Sequence, residues 1–374
     1  MKLVIVRQRY TPFGGAERFV ERALASLRAR GIDVTVIARE WTGGADAGFL
    51  CCNPFSVGRT WRDASFARGV QRIIASGRFD LVQSHERIPG CHVYRAGDGV
   101  HATWLDLRRR IQSPLAAALT RLQPWHRLTL RREAAMFAHP ALRAVICNSQ
   151  MVKDDIVARF GLPAERLHVI RNGVNLDDFH PGLRAQHRQT VRARLGIPPD
   201  APVVLFVGSG YARKGLPQLI AALAQLPAVH LIAVGKDRNA AALAAQLRQA
   251  GRQQTIHLLG GQADVRPFYG AADIFALPTL YDPFPNAALE ALACGLPLLT
   301  TPTSGAAELV EPSFGAVVDA LDVPRQAQAI EALLALDPLT AATAARAAAS
   351  RCSIASATDQ LLALYDRLGA AGPV

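Results

Sequence analysis

The chain has 374 residues, of which 50% are hydrophobic and 19% are charged. This composition is typical of a folded globular protein and excludes a disordered chain. Because compact domains usually hold about 100–200 residues, the length predicts two domains. The 6 cysteines show no C-x-x-C spacing, which argues against zinc and thiol redox motifs and favours a reducing compartment.

The positive charge is concentrated in the first half of the chain. Of the net charge of +12, residues 1–180 supply +11, with 27 Lys and Arg against 16 Asp and Glu. Residues 101–143 alone carry eight Arg against two acids. Such a local excess favours an anionic partner, such as nucleic acid, a lipid surface or a phosphorylated acceptor.

The start of the chain predicts a buried strand rather than a targeting segment. The apolar run Leu3–Val6 is too short for the core of a signal peptide. No stretch reaches the roughly 18 apolar residues of a membrane span. We therefore expect a cytoplasmic protein.

Short β-branched runs alternate with helical patterns over residues 1–180. After Leu3–Val6, strands are predicted at Val34–Ile37, Leu81–Gln83, Val145–Cys147 and His168–Ile170. Between the first two strands, apolar residues from Ala16 to Leu27 repeat at the spacing of a surface helix. A strand, a crossover helix and a second strand form the unit of a parallel sheet.

The alternation stops between Phe179 and Pro202, where a polar, Arg-rich stretch ends in a Pro-rich run, and we place the domain linker there. Five further strands are then predicted, at Val203–Val207, His230–Val234, Ile256–Leu259, Ile274–Leu277 and Leu298–Thr300, with helices from Leu216, Asn239 and Asn286. The pattern predicts two α/β, Rossmann-like, doubly wound domains facing across a cleft. The first comprises residues 1–180 with a C-terminal helix at about 355–374, and the second comprises residues 181–354.

Doubly wound sheets bind ligands at the carboxyl ends of their strands, and two glycine-containing motifs lie in loops there. Gly14 and Gly15 follow the first strand, where paired glycines let backbone N–H groups approach a phosphate. A tight turn without a ligand is an equal alternative for so short a motif. Gly208, Arg213 and Lys214 follow the first strand of the second domain, and this position favours a phosphate clamp over solvated loop charges.

A third motif pairs a loop acid with a helix acid. Asp282 precedes the helix predicted from Asn286, and Glu290 lies within that helix. A loop carboxylate and the N–H groups after it can hold sugar hydroxyls, and the helix carboxylate can accept from both ribose hydroxyls. A solvated helix charge is the alternative for Glu290, but its apolar neighbours argue against it.

The runs Arg171–Phe179 and Gly260–Val310 resemble the retaining GT-B glycosyltransferases of family 4. Tyr10–Gly15, Gly208–Gly215 and Gly295–Thr301 are similar to the lipopolysaccharide core heptose glucosyltransferases within that family. The resemblance implies a retaining enzyme that moves a hexose, with glucose expected, from a UDP-sugar to a cell-envelope glycan such as inner-core heptose. It also implies that no cofactor and no obligatory metal take part.

The resemblance assigns roles to the motif residues. Arg213 and Lys214 would hold the donor diphosphate, Glu290 the ribose, and Asp282 the transferred sugar. The family has a glutamate where this chain has Asp282, and the shorter side chain leaves the donor sugar open. The other donor-site positions that the resemblance implies are Gly14, Gly15, Gly208, Pro283, Phe284 and Pro285.

Asp98 is the leading candidate to orient or deprotonate the acceptor hydroxyl. The segment Tyr94–Asp98 follows a predicted strand and resembles the family segment that brings a polar side chain to the cleft. His85 and His101 are the alternatives, although a single loop histidine is more often structural.

Residues 101–143 interleave Trp and Leu with Arg, which predicts an interfacial amphipathic element. We expect it to attach the protein peripherally to the anionic inner leaflet of the cytoplasmic membrane and to face an anionic glycan or glycolipid acceptor. A core helix with a solvated basic face is the alternative. The residues expected on this face are Trp104, Arg108, Arg109, Arg110, Trp125, Arg127 and Arg131.

Three other classes of protein compete with this interpretation. A nucleic-acid-binding protein fits the charge but lacks a recognisable module, so we expect no nucleic acid partner. An NAD-dependent oxidoreductase needs a G-x-G-x-x-G turn after the first strand, where Pro12–Gly15 stands instead. A non-catalytic binder of a nucleotide sugar or an anionic polymer is the alternative function, because Asp282 departs from the family pattern.

Overall fold

The structure is a computed structural model that describes residues 2–10, 31–41 and 48–370. It divides into two compact units. Unit 1 comprises Met1–Gly173 with Ile354–Val374, and unit 2 comprises Val174–Ser353. The boundary between the units lies after Gly173, a few residues before the boundary at residue 180 that the sequence predicts.

Unit 1 is a parallel sheet flanked by helices. The strands described are β1 (Lys2–Val6), β2 (Arg9–Tyr10), β3 (Asp33–Ala38), β4 (Glu40–Trp41), β5 (Gly48–Cys51), β6 (Leu81–Ser84), β7 (Val93–Arg95), β8 (Ala144–Cys147) and β9 (Leu167–Val169). The helices described before residue 174 are α1 (Gly58–Ile74), α2 (His101–Arg108), α3 (Pro114–Leu122), α4 (Pro124–Phe137) and α5 (Gln150–Phe160). Seven strands form one sheet in the order β5-β3-β1-β6-β7-β8-β9, and β2 and β4 pair separately.

The main sheet of unit 1 is apolar on both faces, as expected for parallel strands covered by helices. Successive residues of β1 point to opposite faces, so Leu3 joins one core cluster and Val4 joins the other. The cluster around Val4 also contains Phe66 of α1 and Met136 of α4. The five strands predicted before residue 174 are all present, each within about a residue or two of its expected bounds.

Unit 2 is a second parallel sheet of six strands. The strands are β10 (Val203–Val207), β11 (His230–Val234), β12 (Ile256–Gly260), β13 (Ile274–Ala276), β14 (Leu298–Thr300) and β15 (Gly315–Val317), in the order β12-β11-β10-β13-β14-β15. The helices are α6 (Leu183–Leu195), α7 (Tyr211–Lys214), α8 (Leu216–Leu223), α9 (Ala240–Gln249), α10 (Arg266–Ala271), α11 (Asn286–Ala293), α12 (Val323–Leu334) and α13 (Pro338–Ser350). One cluster of buried apolar residues forms the core of this unit. The two parallel α/β sheets confirm the predicted fold class.

The prediction of a linker between Phe179 and Pro202 is wrong, because this stretch contains α6. Its arginines are not solvated linker charges: Arg188 and Arg192 bind the carboxylate of Asp273 at 2.8 and 2.7 Å. Burial raises the pKa of Asp273, but the hydrogen bonds and charges of these arginines outweigh that effect and lower it. The arginines therefore attach α6 to unit 2.

The last helix described, α14 (Ile354–Ala370), belongs to unit 1. Its Leu361, Leu364 and Tyr365 are buried in the core cluster that contains Leu3. The hydroxyl of Tyr365 also donates to Gln83 Oε1 at 2.6 Å. The chain thus leaves the first unit once and returns to complete it.

Candidate active site

The donor motifs of unit 2 meet at the carboxyl edge of its sheet. Strands β10, β13 and β14 are parallel neighbours, so the loops after them lie side by side. Lys214 follows β10, Asp282 follows β13 and Ser304 follows β14. Backbone hydrogen bonds from Asp282 N to Thr303 O at 3.0 Å and from Gly305 N to Asp282 O at 2.9 Å join the last two loops.

Arg213 and Lys214 lie on the one-turn helix α7 rather than in an open loop. Gly210 and Gly215 bound this helix, and their φ angles of 78° and 79° are in the left-handed region. A Cβ atom at Gly215 would lie 1.8 Å from the carbonyl oxygen of Pro278, so only glycine fits there. The backbone therefore fixes the position of the short helix that carries Arg213 and Lys214.

Lys214 and Asp282 form an ion pair between Nζ and Oδ2. Arg213 Nη1 lies 3.8 Å from the same oxygen and donates to the carbonyl of Tyr281 at 3.2 Å. Gly208 leaves room for the lysine stem, because a Cβ there would lie 3.3 Å from Lys214 Cγ. Burial lowers the pKa of the Lys214 amine, and the charge of Asp282 opposes this shift. The predicted diphosphate and sugar residues thus form one charged cluster.

Glu290 is half-buried on α11, and one of its oxygens is held by a tyrosine. The Tyr269 hydroxyl, from α10, donates to Glu290 Oε2 at 2.9 Å and lies 3.1 Å from the carbonyl oxygen of Ala287. Burial, together with the Glu290 charge, raises the pKa of Tyr269 well above its usual value, so the hydroxyl keeps its proton. The carboxylate therefore has a fixed direction, unlike a solvated helix charge.

The segment between these acids cannot donate as many backbone hydrogen bonds as expected. Pro283 and Pro285 are buried and carry no N–H group, so they shape the loop without donating to a sugar. Phe284 is buried in the core of unit 2 with its ring. The N–H donors of this segment are those of Phe284, Asn286 and Ala287, at the beginning of α11.

In unit 1, Asp98 is exposed on a tight turn at the carboxyl edge of the sheet. The turn is closed by Gly99 N, which donates to Ala96 O at 3.0 Å. Asn148 Nδ2 donates to the carbonyl of the residue before Asp98 at 3.2 Å, and Arg87 Nη2 donates to the Gly99 carbonyl at 2.9 Å. Side chains from two neighbouring segments thus hold the loop that presents this carboxylate. Tyr94 and Arg95 do not follow a strand as predicted, since they belong to β7 itself.

The two histidine alternatives are placed differently. His85 lies directly after β6, where burial and the charges of Arg7 and Arg95 lower its pKa well below the usual value, so it is neutral at pH 7. His101 is not a loop residue: it begins α2, is buried, and its Nε2 lies 2.9 Å from His126 Nδ1. His101 is therefore a buried residue that contacts His126, which fits a structural role better than contact with an acceptor.

Beside Asp98, the structure adds a carboxylate that the sequence did not single out. Glu86 Oε1 accepts from the backbone N–H of Gln8 at 3.0 Å. Burial raises the pKa of Glu86, and the nearby charge of Asp98 adds to this effect. Two carboxylates, those of Glu86 and Asp98, thus lie near each other at this edge of unit 1.

Comparison with known proteins shows which protein family the chain belongs to. The family described as "Glycosyltransferase Family 4" matches residues 13–178, and the family described as "Glycosyl transferases group 1" matches residues 187–350. The D-inositol 3-phosphate glycosyltransferase of Mycolicibacterium smegmatis is 30% identical over 397 residues, which cover 95% of this chain and 86% of that protein. The chain belongs to the group 1 glycosyltransferases.

Further relatives of this glycosyltransferase include the lipopolysaccharide glucosyltransferase WaaG of Escherichia coli K12, 28% identical over 81% of this chain and 80% of that protein. The crystal structure of WaaG matches with a TM-score of 0.81 and 25% identity over 97% of this chain and 99% of that one. Anabaena HepE, in complex with UDP and glucose, matches with a TM-score of 0.72 and 23% identity over 98% and 99% of the two chains. The glycosyltransferase therefore has the GT-B fold, as predicted.

The basic segment of the glycosyltransferase is not one continuous amphipathic helix, since α2, α3 and α4 divide it. Trp104, Arg108 and Trp125 are half-buried, whereas Arg109, Arg110, Arg127 and Arg131 are exposed. Trp125 Nε1 donates to Asp63 Oδ2 at 2.7 Å, and the Arg59 guanidinium lies 3.4 Å from the centre of its ring. Trp125 thus joins α4 to α1, so its ring is already engaged within unit 1 and is not a free membrane contact.

The exposed apolar side chains of this region lie elsewhere. Leu115, Leu119 and Leu122 form a stripe along α3 at the spacing of one helix face, with exposures of 72%, 56% and 64%. Phe55 and Trp61, near the beginning of α1, are exposed and contact each other edge to face at 5.6 Å. The sequence pattern identified the leucines but not this aromatic pair.

Gly14 and Gly15 lie outside the described residues. In the part of the chain that is described, no group of three or more His, Cys, Asp and Glu side chains could hold a metal ion. Within that same part, no helix is both long enough and apolar enough to span a membrane.

Proposed function

We propose that this glycosyltransferase moves a hexose, with glucose as the first candidate, from a UDP-sugar to a cell-envelope glycan with retention of configuration. The observation that carries the proposal is the Lys214–Asp282 ion pair at the carboxyl edge of the unit 2 sheet, in the loop that leads into the helix carrying Glu290, whose carboxylate is held by Tyr269. The WaaG relative, named a lipopolysaccharide glucosyltransferase, supports glucose and a lipopolysaccharide acceptor. Inner-core heptose is the acceptor that the family resemblance implies. The HepE complex supports a UDP-sugar donor.

The proposed chemistry rests on fixed charges. Glycosyl transfer develops positive charge at the anomeric carbon and negative charge on the departing diphosphate, and preorganised cations stabilise the latter. Arg213 and Lys214 supply those cations from α7, and we propose that they do so without an obligatory metal or cofactor. Glu290 accepts from the ribose hydroxyls, and Asp282 accepts from a hydroxyl of the transferred sugar.

On the acceptor side, we assign the orienting carboxylate to Asp98. The turn that carries it is held by Asn148 and Arg87, which reduces the entropy lost when an acceptor hydroxyl is positioned. A phosphorylated cyclitol is the second acceptor candidate, because the relative that is 30% identical over 95% of this chain is a D-inositol 3-phosphate glycosyltransferase.

The donor assignment is tested by thermal stabilisation and turnover with a panel of nucleotide sugars. A ligand present at about 100 times its Kd stabilises the folded state by about 2.7 kcal/mol, so a bound UDP-sugar raises the Tm clearly. We expect this shift for the wild type and for Lys153→Ala in unit 1, and its loss in Lys214→Ala and Glu290→Ala. Stabilisation by no nucleotide sugar would contradict the proposal.

The acceptor and the reaction are tested in the same preparation. We expect transfer from UDP-glucose to a heptose-containing core oligosaccharide, unaffected by EDTA, with retention measured by NMR of the new linkage. Preference for inositol phosphate would select the second acceptor candidate. Donor binding without transfer to any acceptor would support the non-catalytic binding protein instead.

We also propose that unit 1 attaches peripherally to anionic lipid at the inner leaflet. The leucine stripe of α3 is exposed, and the exposed Arg109, Arg110, Arg127 and Arg131 lie on the adjoining segments. Apolar side chains bordered by arginines suit the boundary between acyl chains and phosphate headgroups. Folding alone does not cover these leucines.

Sedimentation with vesicles tests the attachment. We expect binding to vesicles that contain phosphatidylglycerol and little binding to pure phosphatidylcholine. The triple variant Leu115→Asn, Leu119→Asn, Leu122→Asn and the double variant Arg109→Glu, Arg110→Glu should both lose binding. Leu339→Asn is the matched control, since Leu339 is 77% exposed but lies in unit 2. Unchanged sedimentation of both multiple variants would contradict this proposal.

A further inference from the structure

Ser304 carries a buried hydroxyl that the donor site described above does not explain. It lies in the loop after β14, and its exposure is 1%. In the described part of the chain, Ser304 Oγ has no hydrogen-bond partner. A buried hydroxyl without a partner costs about 1–3 kcal/mol, so its presence calls for a physical reason.

Helix capping is not that reason. Ser304 directly precedes the short 3-10 turn Gly305–Leu309, a position where serine commonly caps the following N–H groups. Its side chain makes no capping hydrogen bond there. The backbone of the residue is satisfied, since its N–H donates to Thr301 O at 3.0 Å and its carbonyl accepts from Ala307 N at 3.0 Å. Only the hydroxyl is left over.

The position of Ser304 links it to Asp282. The two residues form an isolated parallel β-bridge between the loops after β13 and β14. Residues that face each other in a bridge project their side chains to the same side of the ladder. The Ser304 hydroxyl therefore lies on the same side as the carboxylate that pairs with Lys214.

We propose that Ser304 Oγ forms a hydrogen bond with a hydroxyl of the transferred sugar and thereby contributes to the choice of donor. This inference rests on the proposed function, because it requires the sugar to lie at Asp282. The negative charge of Asp282 disfavours a phosphate oxygen beside it, whereas a sugar hydroxyl can donate to the carboxylate and accept from the serine. A buried polar group that recognises a hydroxyl discriminates strongly against a sugar that lacks it.

The substitution Ser304→Ala separates recognition from structure. Because it removes an unsatisfied buried hydroxyl, we expect the free protein to melt at the same temperature as the wild type or higher. We expect kcat/KM for the preferred UDP-sugar to fall about tenfold or more. Stabilisation by UDP, which has no sugar at this position, should not change.

A panel of monodeoxy UDP-sugars identifies the hydroxyl. The wild type should discriminate against one deoxy donor in particular, and Ser304→Ala should lose that discrimination while keeping the others. Thr301→Val is the matched control, because the buried Thr301 Oγ1 donates to Thr279 O at 2.7 Å in the same loop. Losing a satisfied hydrogen bond, this control should lower the Tm without changing the deoxy pattern.

The outcomes are distinguishable. An unchanged kcat/KM and deoxy pattern in Ser304→Ala, with normal wild-type turnover, would overturn this inference and leave the proposed function intact. A lower Tm with equal loss of UDP binding would assign Ser304 a structural role and also overturn it. If UDP-sugars stabilise the wild type but it transfers no sugar to any acceptor, the proposed enzymatic function is overturned, independently of the results for Ser304→Ala.

Discussion

Lys214 and Asp282 form a buried ion pair in unit 2, with side-chain exposures of 13% and 9%. The family resemblance assigns the first to the diphosphate and the second to the sugar of one donor molecule. Since each charge holds the other, a change in the sugar-binding carboxylate alters the cation that faces the phosphate. If the two residues have the proposed roles, we expect donor-sugar choice and leaving-group stabilisation to be coupled at this pair.

Substitution of Asp282 tests the coupling. Asp282→Asn leaves the Lys214 cation buried without its carboxylate, and we expect the free energy of unfolding to fall by about 3 kcal/mol. Because the carboxylate charge opposes the burial that lowers the Lys214 pKa, its loss should lower that pKa further. Stabilisation by UDP should then disappear at a lower pH in this variant than in the wild type.

Asp282→Glu is the matched variant, because it keeps the negative charge and restores the residue typical of the family. Its free energy of unfolding should stay within about 1 kcal/mol of the wild type. Urea unfolding and UDP titrations between pH 7 and 10 measure both effects. Equal stability of Asp282→Asn and the wild type would show that the pair is not coupled as described.

Tyr269 should govern recognition of the ribose. In Tyr269→Phe, the Glu290 carboxylate loses the 2.9 Å hydrogen bond that sets its direction. We expect the wild type to bind UDP more tightly than 2′-deoxy-UDP, and the variant to lose much of this preference, by about three- to tenfold. Calorimetric titration with both nucleotides measures it.

Tyr365→Phe is the control for this measurement, since Tyr365 is also a buried tyrosine but donates to Gln83 in unit 1. It should keep the full preference for UDP. A Tyr269→Phe variant that weakens both nucleotides equally would place the tyrosine in folding rather than in ribose recognition.

Arg192 should contribute more to stability than any exposed arginine of α6. Its guanidinium donates to the carbonyls of Pro199, Ala201 and Ala271 and binds Asp273, while its own exposure is 2%. We expect Arg192→Met to lower the free energy of unfolding by about 3 kcal/mol. Arg194→Met on the same helix should cost less than about 1 kcal/mol. Similar losses in the two variants would argue against this role.

Acid should destabilise unit 1 through His101. Burial, the charges of Arg87 and Arg59 and the neighbouring His126 lower the pKa of His101 to about 3. The unfolded chain therefore binds a proton below about pH 6.5 that the folded chain refuses until about pH 3, so stability falls as the pH decreases through this window. His101→Gln should reduce the slope of the free energy of unfolding against pH by up to about 1.4 kcal/mol per pH unit. Urea unfolding from pH 7 to 4.5 checks this, and an unchanged slope would contradict it.

The ten strands that local sequence patterns predicted are all present, because strands of a parallel sheet covered on both faces are continuous apolar runs. The patterns did not predict the strands β2, β4, β5 and β15. They did not predict α6. Its Arg188 and Arg192 look like solvated linker residues in the sequence, and only their contact with the distant Asp273 shows otherwise. Because Asp273 is distant from α6 in the sequence, no local pattern shows that this polar helix packs against the rest of unit 2.

The candidate site was predictable in outline but not in its supporting contacts. The loops after β10 and β13 revealed Lys214 and Asp282 by charge and position. Tyr269 and Ser304 gave no such signal, because the direction of a hydroxyl depends on which segments meet around it. The same holds for Trp125, whose partners on α1 determine that it packs against that helix.

The return of the chain to unit 1 also bears on its synthesis. A ribosome that has released residues up to 173 has delivered the β1 sheet without α14, the helix that covers Leu3 and supplies Tyr365 to Gln83. Unit 2, continuous from Val174 to Ser353, is synthesised in full before α14. A chain truncated after Ser353, which lacks α14, should therefore contain a folded unit 2 and an incompletely folded unit 1, which is a substrate for quality-control proteases.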